Sequence, residues 1–174
     1  MDAPAFELGE QLNNRKIEYI LHKDLWDKFN FPHLDLNINR WSSIKYLNDN
    51  STDFNNDINL VPADKGGLYL FFVKCPILTG MSEYPLYIGR AQLTQGQNLR
   101  KRVKEYFQKY SKNNERPKIY KMFRYWSENL FLAFYPLNEN DEIRDVEKDI
   151  INYLILPMND LIPDKEIKQA IKAF

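Results

Sequence analysis

A chain of 174 residues with 44% apolar and 28% charged side chains can close one hydrophobic core, which excludes intrinsic disorder and collagen-like repetition. Its longest apolar runs, Leu68–Val73 and Leu130–Leu137, fall far short of the ~20 residues that cross a bilayer. The start carries no basic and apolar signal segment, and the single Cys75 cannot form an intrachain disulfide. These features predict a protein of the reducing cytoplasm with no membrane partner. The formal net charge is zero but unevenly placed: residues 89–124 hold eleven bases against Glu105 and Glu115, a local +9 that leaves −9 for the remainder. Such a block reads either as a solvated helix surface or as a face for a nucleic acid backbone. On the second reading its candidate contacts are Arg90, Lys101, Lys104, Arg116, Lys118 and Lys121.

In chain order, residues 1–60 hold ten Asn and two runs of helical spacing. Ile17, Ile20, Leu21, Leu25 and Phe29 form one, Trp41, Ile44 and Leu47 the other, and together they predict a small N-terminal helical extension. Turn formers in Asn48–Asp57, followed by Pro62, place a boundary there and leave 61–174 as the working domain. Gly67–Lys74 and Leu86–Ile88 are dense in aliphatic and aromatic residues. They predict a hairpin joined by an exposed loop, Cys75–Tyr84, that contains Pro76 and Gly80. Leu99, Val103, Tyr106, Phe107 and Tyr110 recur at helical spacing in Asn98–Tyr110, and Pro117 suits the first turn of a second helix ending near Trp126. Leu130–Tyr135 predicts a third strand. Asp141–Leu156 predicts a strongly periodic helix stopped by Pro157, and Asp164–Ala173 a short terminal one. The order after residue 60 is ββααβα, an α/β fold of the α+β kind in which a small three-stranded antiparallel sheet is flanked by helices.

Several side chains on these elements could carry chemistry. Glu147 shares an inward helical stripe with Ile143, Val146, Ile150, Ile151 and Leu154, where an unpaired carboxylate would be costly to desolvate. It is read either as half of a structural salt bridge with a Lys or Arg of a neighbouring helix, or as a metal ligand or catalytic acid at the floor of a cleft. Arg102 and Tyr106, four apart on a helix, can reach one small target; the plainer alternative is an arginine lying over a half-buried tyrosine. Tyr69 and Tyr87 fall mid-strand, where tyrosines commonly fill a core with the hydroxyl at its rim.

Gly67, Leu68, Tyr69 and then Tyr87, Ile88, Gly89 resemble the two tripeptides that name the GIY-YIG nuclease superfamily. Arg102, Glu147 and Asn159 follow in the order, and on the types of element, of the rest of that signature, so that the resemblance covers about residues 64–160. Tyr84–Ala91 followed by Leu99–Phe107 is particularly similar to restriction endonucleases of the superfamily, in which the position four after the helical arginine holds His or Tyr; here it is Tyr106. Two departures stand out: Leu68 replaces the usual Ile, a volume-conserving change, and seventeen residues separate Tyr69 from Tyr87.

The resemblance implies a metal-dependent endonuclease that hydrolyses DNA phosphodiester bonds, in restriction or antiphage defence. Its catalytic set would be Tyr69, Tyr87, Arg102, Tyr106, Glu147 and Asn159. Glu147 would hold one Mg²⁺ or Mn²⁺ per active site, Arg102 would donate to the nonbridging phosphate oxygens, and Tyr106 would hydrogen-bond the phosphate or the water. Tyr69, with Tyr87, would orient or deprotonate that water; Asn159 would brace the site. No histidine follows His33, so proton handling falls to tyrosine, and the surrounding positive charge is expected to favour the phenolate. Gly89 is expected to let strand and helix approach closely. One centre per chain makes a homodimer the expected form for cutting both strands. Three readings compete: a nucleic-acid-binding domain on the same scaffold without catalysis, a repair or recombination nuclease, and a protein-interaction domain joined through its +9 and −9 regions.

Overall fold

The computed structural model describes residues 3–173. Its elements are α1 (Ala3–Arg15), α2 (Lys23–Trp26), β1 (Ser42–Lys45), β2 (Gly66–Lys74), β3 (Glu83–Ala91), α3 (Leu99–Ser111), α4 (Pro117–Trp126), β4 (Leu130–Leu137), α5 (Asn140–Leu154) and α6 (Lys165–Ala173). The strands form one antiparallel sheet in the order β1-β4-β2-β3. Strand β2 is flanked on both edges and covered on both faces, so its sequence is apolar throughout rather than alternating. Tyr69, Phe71 and Val73 point into the cluster built with Val103, Phe107, Ile119 and Phe123 of α3 and α4. Leu68 and Leu70 point the other way, toward Ile143, Val146, Ile150 and Ile151 of α5.

The pairing of β2 with β3 carries an irregularity next to the site. Phe71 faces Tyr87 and the next residue, Phe72, faces Pro85, so Leu86 is skipped. A bulge of this kind places two successive side chains on one side of the sheet, and Leu86 and Tyr87 both enter the cluster under α3 and α4. Leu86 thereby joins the face that Tyr87 shares with Tyr69, a face set by the regular pairs Tyr69–Gly89 and Phe71–Tyr87. At the start of β2, Gly67 has φ of +145°, and a side chain there would run into the backbone of Tyr135 and Pro136 on β4. Glycine is the residue that accepts both conditions.

Two expectations for the N-terminal region are corrected. The sheet among the described residues has four strands, not three, because Ser42–Lys45 adds to the free edge of β4, with Ile44 opposite Leu132. Trp41, Ile44 and Leu47 fit helical spacing, but the residues that are buried include Ile44, Tyr46 and Leu47, and the Tyr46 hydroxyl donates to the Val103 carbonyl at 2.6 Å. Tertiary pairing along β4 overrides a three-point helical pattern over Ser-Ser, which is a weak helix former. The second correction concerns Ile17–Phe29. Residues 16–22 form neither helix nor strand, helix there is limited to the four residues of α2, and the long N-terminal helix lies upstream, in α1. Ile17 and Tyr19 are half-buried between exposed Lys16 and Glu18, a period of two that coexists with the helical spacing, and the Tyr19 hydroxyl donates to the Pro85 carbonyl of β3 at 3.0 Å.

Downstream, α3, α4, β4 and α6 lie within two residues of their expected limits. Helix α5 stops at Leu154, where Ile155 takes a left-handed conformation (φ 49°) before Pro157 is reached. Among the described residues no helix is long and apolar enough to cross a membrane.

Candidate active site

A cleft of about 620 Å³ opens beside β3, and Tyr69, Tyr87, Arg102, Tyr106, Glu147 and Asn159 all line it. Each comes to it for a local reason. Strand alternation and the regular register that sets Tyr69 opposite Gly89 and Phe71 opposite Tyr87 turn Tyr69 and Tyr87 to the α3 side. Helical spacing stacks Arg102 and Tyr106 one turn apart on α3, with the Arg102 guanidinium 5.5 Å from the Tyr106 ring centre. Glu147 sits on α5 at the margin of its apolar stripe, its side chain 18% exposed.

The three phenols form a hydrogen-bonded chain. Tyr106 Oη lies 2.6 Å from Tyr69 Oη and 3.0 Å from Tyr87 Oη. Gly89 makes this possible: it faces Tyr69 across the β2–β3 pair, and a Cβ there would meet the Tyr69 ring carbons at 2.6–2.8 Å. The expected role of Gly89 in strand–helix approach is thus replaced by room for a phenol. The expected phenolate is corrected as well. Burial pushes the Tyr69 hydroxyl far above the ordinary value of 10, and Tyr87 adds to the rise, while the nearby Arg102 only partly opposes it. Tyr106 is pushed up more strongly, again chiefly by burial. Desolvation outweighs the local positive charge, so both groups are protonated at neutral pH.

Arg102 is tethered by an ion pair of 2.7 Å to Glu105, which also accepts a 2.7 Å bond from Gln97 Nε2. Glu147 meets Arg90 Nε at 3.1 Å through Oε2. Burial raises the Glu147 carboxyl above its usual value, and Arg90 followed by Arg102 pulls it down without cancelling the rise. Asn159 sets both ends of its amide on β3, accepting from Ile88 N at 3.0 Å and donating to Ile88 O at 2.8 Å. That satisfies backbone groups on the free edge of the sheet.

The basic residues divide. Arg90 and Arg116 line the cleft, Arg90 engaged with Glu147 rather than turned to solvent. Lys101 bonds the Gly96 carbonyl and Lys104 lies 5.2 Å over the Phe54 ring. Lys118 pairs with Asp160 at 3.3 Å, and Lys121 donates to the Lys16 carbonyl at 3.2 Å; both border a neighbouring groove. Further residues of the cleft, Lys109, Gln97 and Glu115, do not emerge from sequence reasoning. Arg90 carried a usable signal: it lies two residues after Ile88 on β3, and that parity turns it to the α5 side where Glu147 waits. Glu115 carried none, since it sits in the loop before α4.

Of the three carboxylates lining the cleft, Glu115 is buried against Arg116 and Asp160 is paired with Lys118, which leaves Glu147, itself beside Arg90, for a divalent ion. A hard cation that keeps several waters and takes its other ligands from substrate phosphate suits such a donor set; among the described residues no cluster of three or more His, Cys, Asp or Glu offers a closed protein cage. No family model, curated protein or solved structure matches the chain.

Proposed function

We propose that this protein is a GIY-YIG-type endonuclease that uses a divalent metal ion to hydrolyse DNA phosphodiester bonds, in restriction or antiphage defence. One observation carries the reading: Tyr69, Tyr87, Arg102, Tyr106 and Glu147, which the motif resemblance singles out, come from β2, β3, α3 and α5 and line a single cleft. Hydrolysis forms a bond from water oxygen to phosphorus and breaks the bond from phosphorus to the 3′ oxygen; the water proton leaves to solvent, which returns a proton to the 3′ oxygen. Mg²⁺ or Mn²⁺ held by Glu147 would supply stabilisation of charge on that leaving oxygen. Arg102, kept in place by Glu105, donates to the nonbridging oxygens as charge builds on them. The protonated phenols place water and phosphate by hydrogen bonding rather than by taking a proton. Asn159 keeps β3, and with it Tyr87, in register beside the cleft.

The test is plasmid cleavage by purified protein with Mg²⁺ or Mn²⁺, beside Glu147→Gln and Arg102→Ala prepared in the same way to control for contaminating nucleases. Loss of cleavage in Glu147→Gln and a fall of about 100-fold or more in turnover for Arg102→Ala are expected; equal cutting by all three preparations sinks the proposal. The Arg90–Glu147 ion pair favours one alternative, a nucleic-acid-binding domain whose acid serves structure. Salt-dependent DNA binding with no cleavage under either metal would select it.

A further inference from the structure

Three hydroxyls joined by two contacts carry three protons, of which the contacts use two. The third must go to an acceptor outside the chain, and what surrounds Tyr87 bears on where. Arg116 can only donate. Its Nη2 lies 3.4 Å from Tyr87 Oη, which fixes that oxygen as an acceptor, and its guanidinium lies 5.4 Å from the centre of the same ring. Behind it, Arg116 Nε faces Glu115 Oε1 at 3.6 Å, and the Glu115 side chain is only 4% exposed. Glu115 Oε1 also accepts the Arg116 backbone N–H at 2.8 Å, whereas Oε2 is buried with no hydrogen-bond partner. Bracing the loop does not require this: a glutamine carbonyl would accept the same backbone bond, and a buried carboxylate with one bare oxygen is costly. What the charge adds is a fixed counterion for Arg116, which stands just before α4 at its N-cap, makes no side-chain capping bond and is thereby directed at Tyr87.

We infer that Arg116 is a positioning residue for Tyr87, that Glu115 is the buried carboxylate that orients it, and that the phenol chain so held, with one proton more than its two contacts use, offers a hydroxyl proton to an oxyanion in the cleft. The inference rests on the proposed nuclease reading for the identity of that oxyanion, a nonbridging phosphate oxygen; the arrangement of Glu115, Arg116 and Tyr87 does not depend on it. The phenol chain then acts as one donor to bound phosphate, with Arg102 over its central ring and Arg116 at its Tyr87 end.

Two measurements separate these layers. The first uses ¹⁵N-labelled protein without nucleic acid and follows solvent exchange of the Arg116 Nε–H by NMR. Glu115→Gln, which removes the charge that Nε faces, and Tyr87→Phe, which removes the acceptor of Nη2 and frees the guanidinium to turn, should each speed it about tenfold, with melting temperature as the control for folding; unchanged exchange in both folded variants overturns the arrangement whatever the cleavage result. The second is cleavage kinetics. Arg116→Lys keeps the charge and loses the fork, so kcat should fall about tenfold while KM stays within about twofold. Because Arg116 acts through Tyr87, the Arg116→Lys, Tyr87→Phe double variant should be no slower than Tyr87→Phe alone. Additive losses, a raised KM or full activity with lysine would instead place Arg116 on the substrate and overturn the positioning role. Absence of cleavage by the unaltered protein, together with the expected exchange changes, would remove the nuclease reading and leave the arrangement standing.

Discussion

Glu147 is held by opposing effects, burial that favours its neutral form and two arginines that favour its charge, and burial prevails. The consequence for stability has a definite sign. A carboxyl whose pKa is raised on folding binds its proton more tightly in the folded state, so its contribution is fully present below the unfolded value of 4.5 and is lost as pH rises through the higher folded value. Glu147→Gln carries no charge at either extreme. Its stability relative to the unaltered protein should therefore improve between about pH 4 and about pH 7, read from urea melts at the two pH values; a constant or shrinking difference would contradict the direction of the shift. The phenols make a second prediction. With Tyr69 and Tyr106 pushed far above 10 by burial, no phenolate reservoir forms near neutrality. Cleavage should rise about tenfold per pH unit from about pH 7 to about pH 9, as expected when the water proton is lost to solvent and hydroxide is the attacking species. A plateau near neutral pH would show a tyrosine ionising where its burial forbids.

On the scale of the elements, the pair of Gly89 and Tyr69 joins strand register to the site. A methyl group at position 89 has nowhere to go but into the Tyr69 ring, at 2.6–2.8 Å from two of its carbons. Gly89→Ala should cost about 1–3 kcal/mol as an overpacking change and displace the Tyr69 hydroxyl from Tyr106. A second change, Tyr69→Leu, should restore most of the stability and none of the activity, measured by thermal melts and plasmid cleavage; failure of the leucine to restore it would place the strain elsewhere. The same elements show what could be read from the chain. Strands β2 and β4 and helices α3, α4 and α5 announce themselves through long apolar runs, helical spacing and Pro117, all local signals. The bulge that skips Leu86 is not local: it turns Leu86 to the face that Tyr87 already shares with Tyr69 through the regular register on its other side. Strand β1 is four residues long and begins Ser-Ser, and only its partner β4 makes it a strand. The signature positions were legible because spacing and order suffice for them. Arg90 was legible through strand parity once Glu147 was placed, whereas Glu115 and the Glu105–Gln97 tether depend on how a loop and a helix face pack against neighbours distant in sequence.

Across the whole molecule, the N-terminal residues fall into two groups with opposite expectations. The side chains of α1 that are described, residues 4–15, are exposed along the whole helix. Removal of residues 1–15 should shift the melting temperature by no more than about 2 °C, as surface changes do. Residues 42–60 behave differently because Ile44, Tyr46, Leu47 and Ile58 are 5%, 0%, 0% and 3% exposed in the cluster that holds Tyr69 and Tyr106. Losing such side chains costs about 2–5 kcal/mol apiece, against a total stability of about 5–15 kcal/mol. The fragment 61–174 should accordingly show no cooperative melt by circular dichroism, although it retains every residue of the motif resemblance; a sharp transition near that of the full chain would mean that β4 and α3 are stable without β1. The link to the site is physical, since Tyr46 bonds the Val103 carbonyl of α3, one residue beyond Arg102 and three before Tyr106. What seats α3 against the sheet from the N-terminal side thus also sets where the arginine and the central phenol meet the cleft.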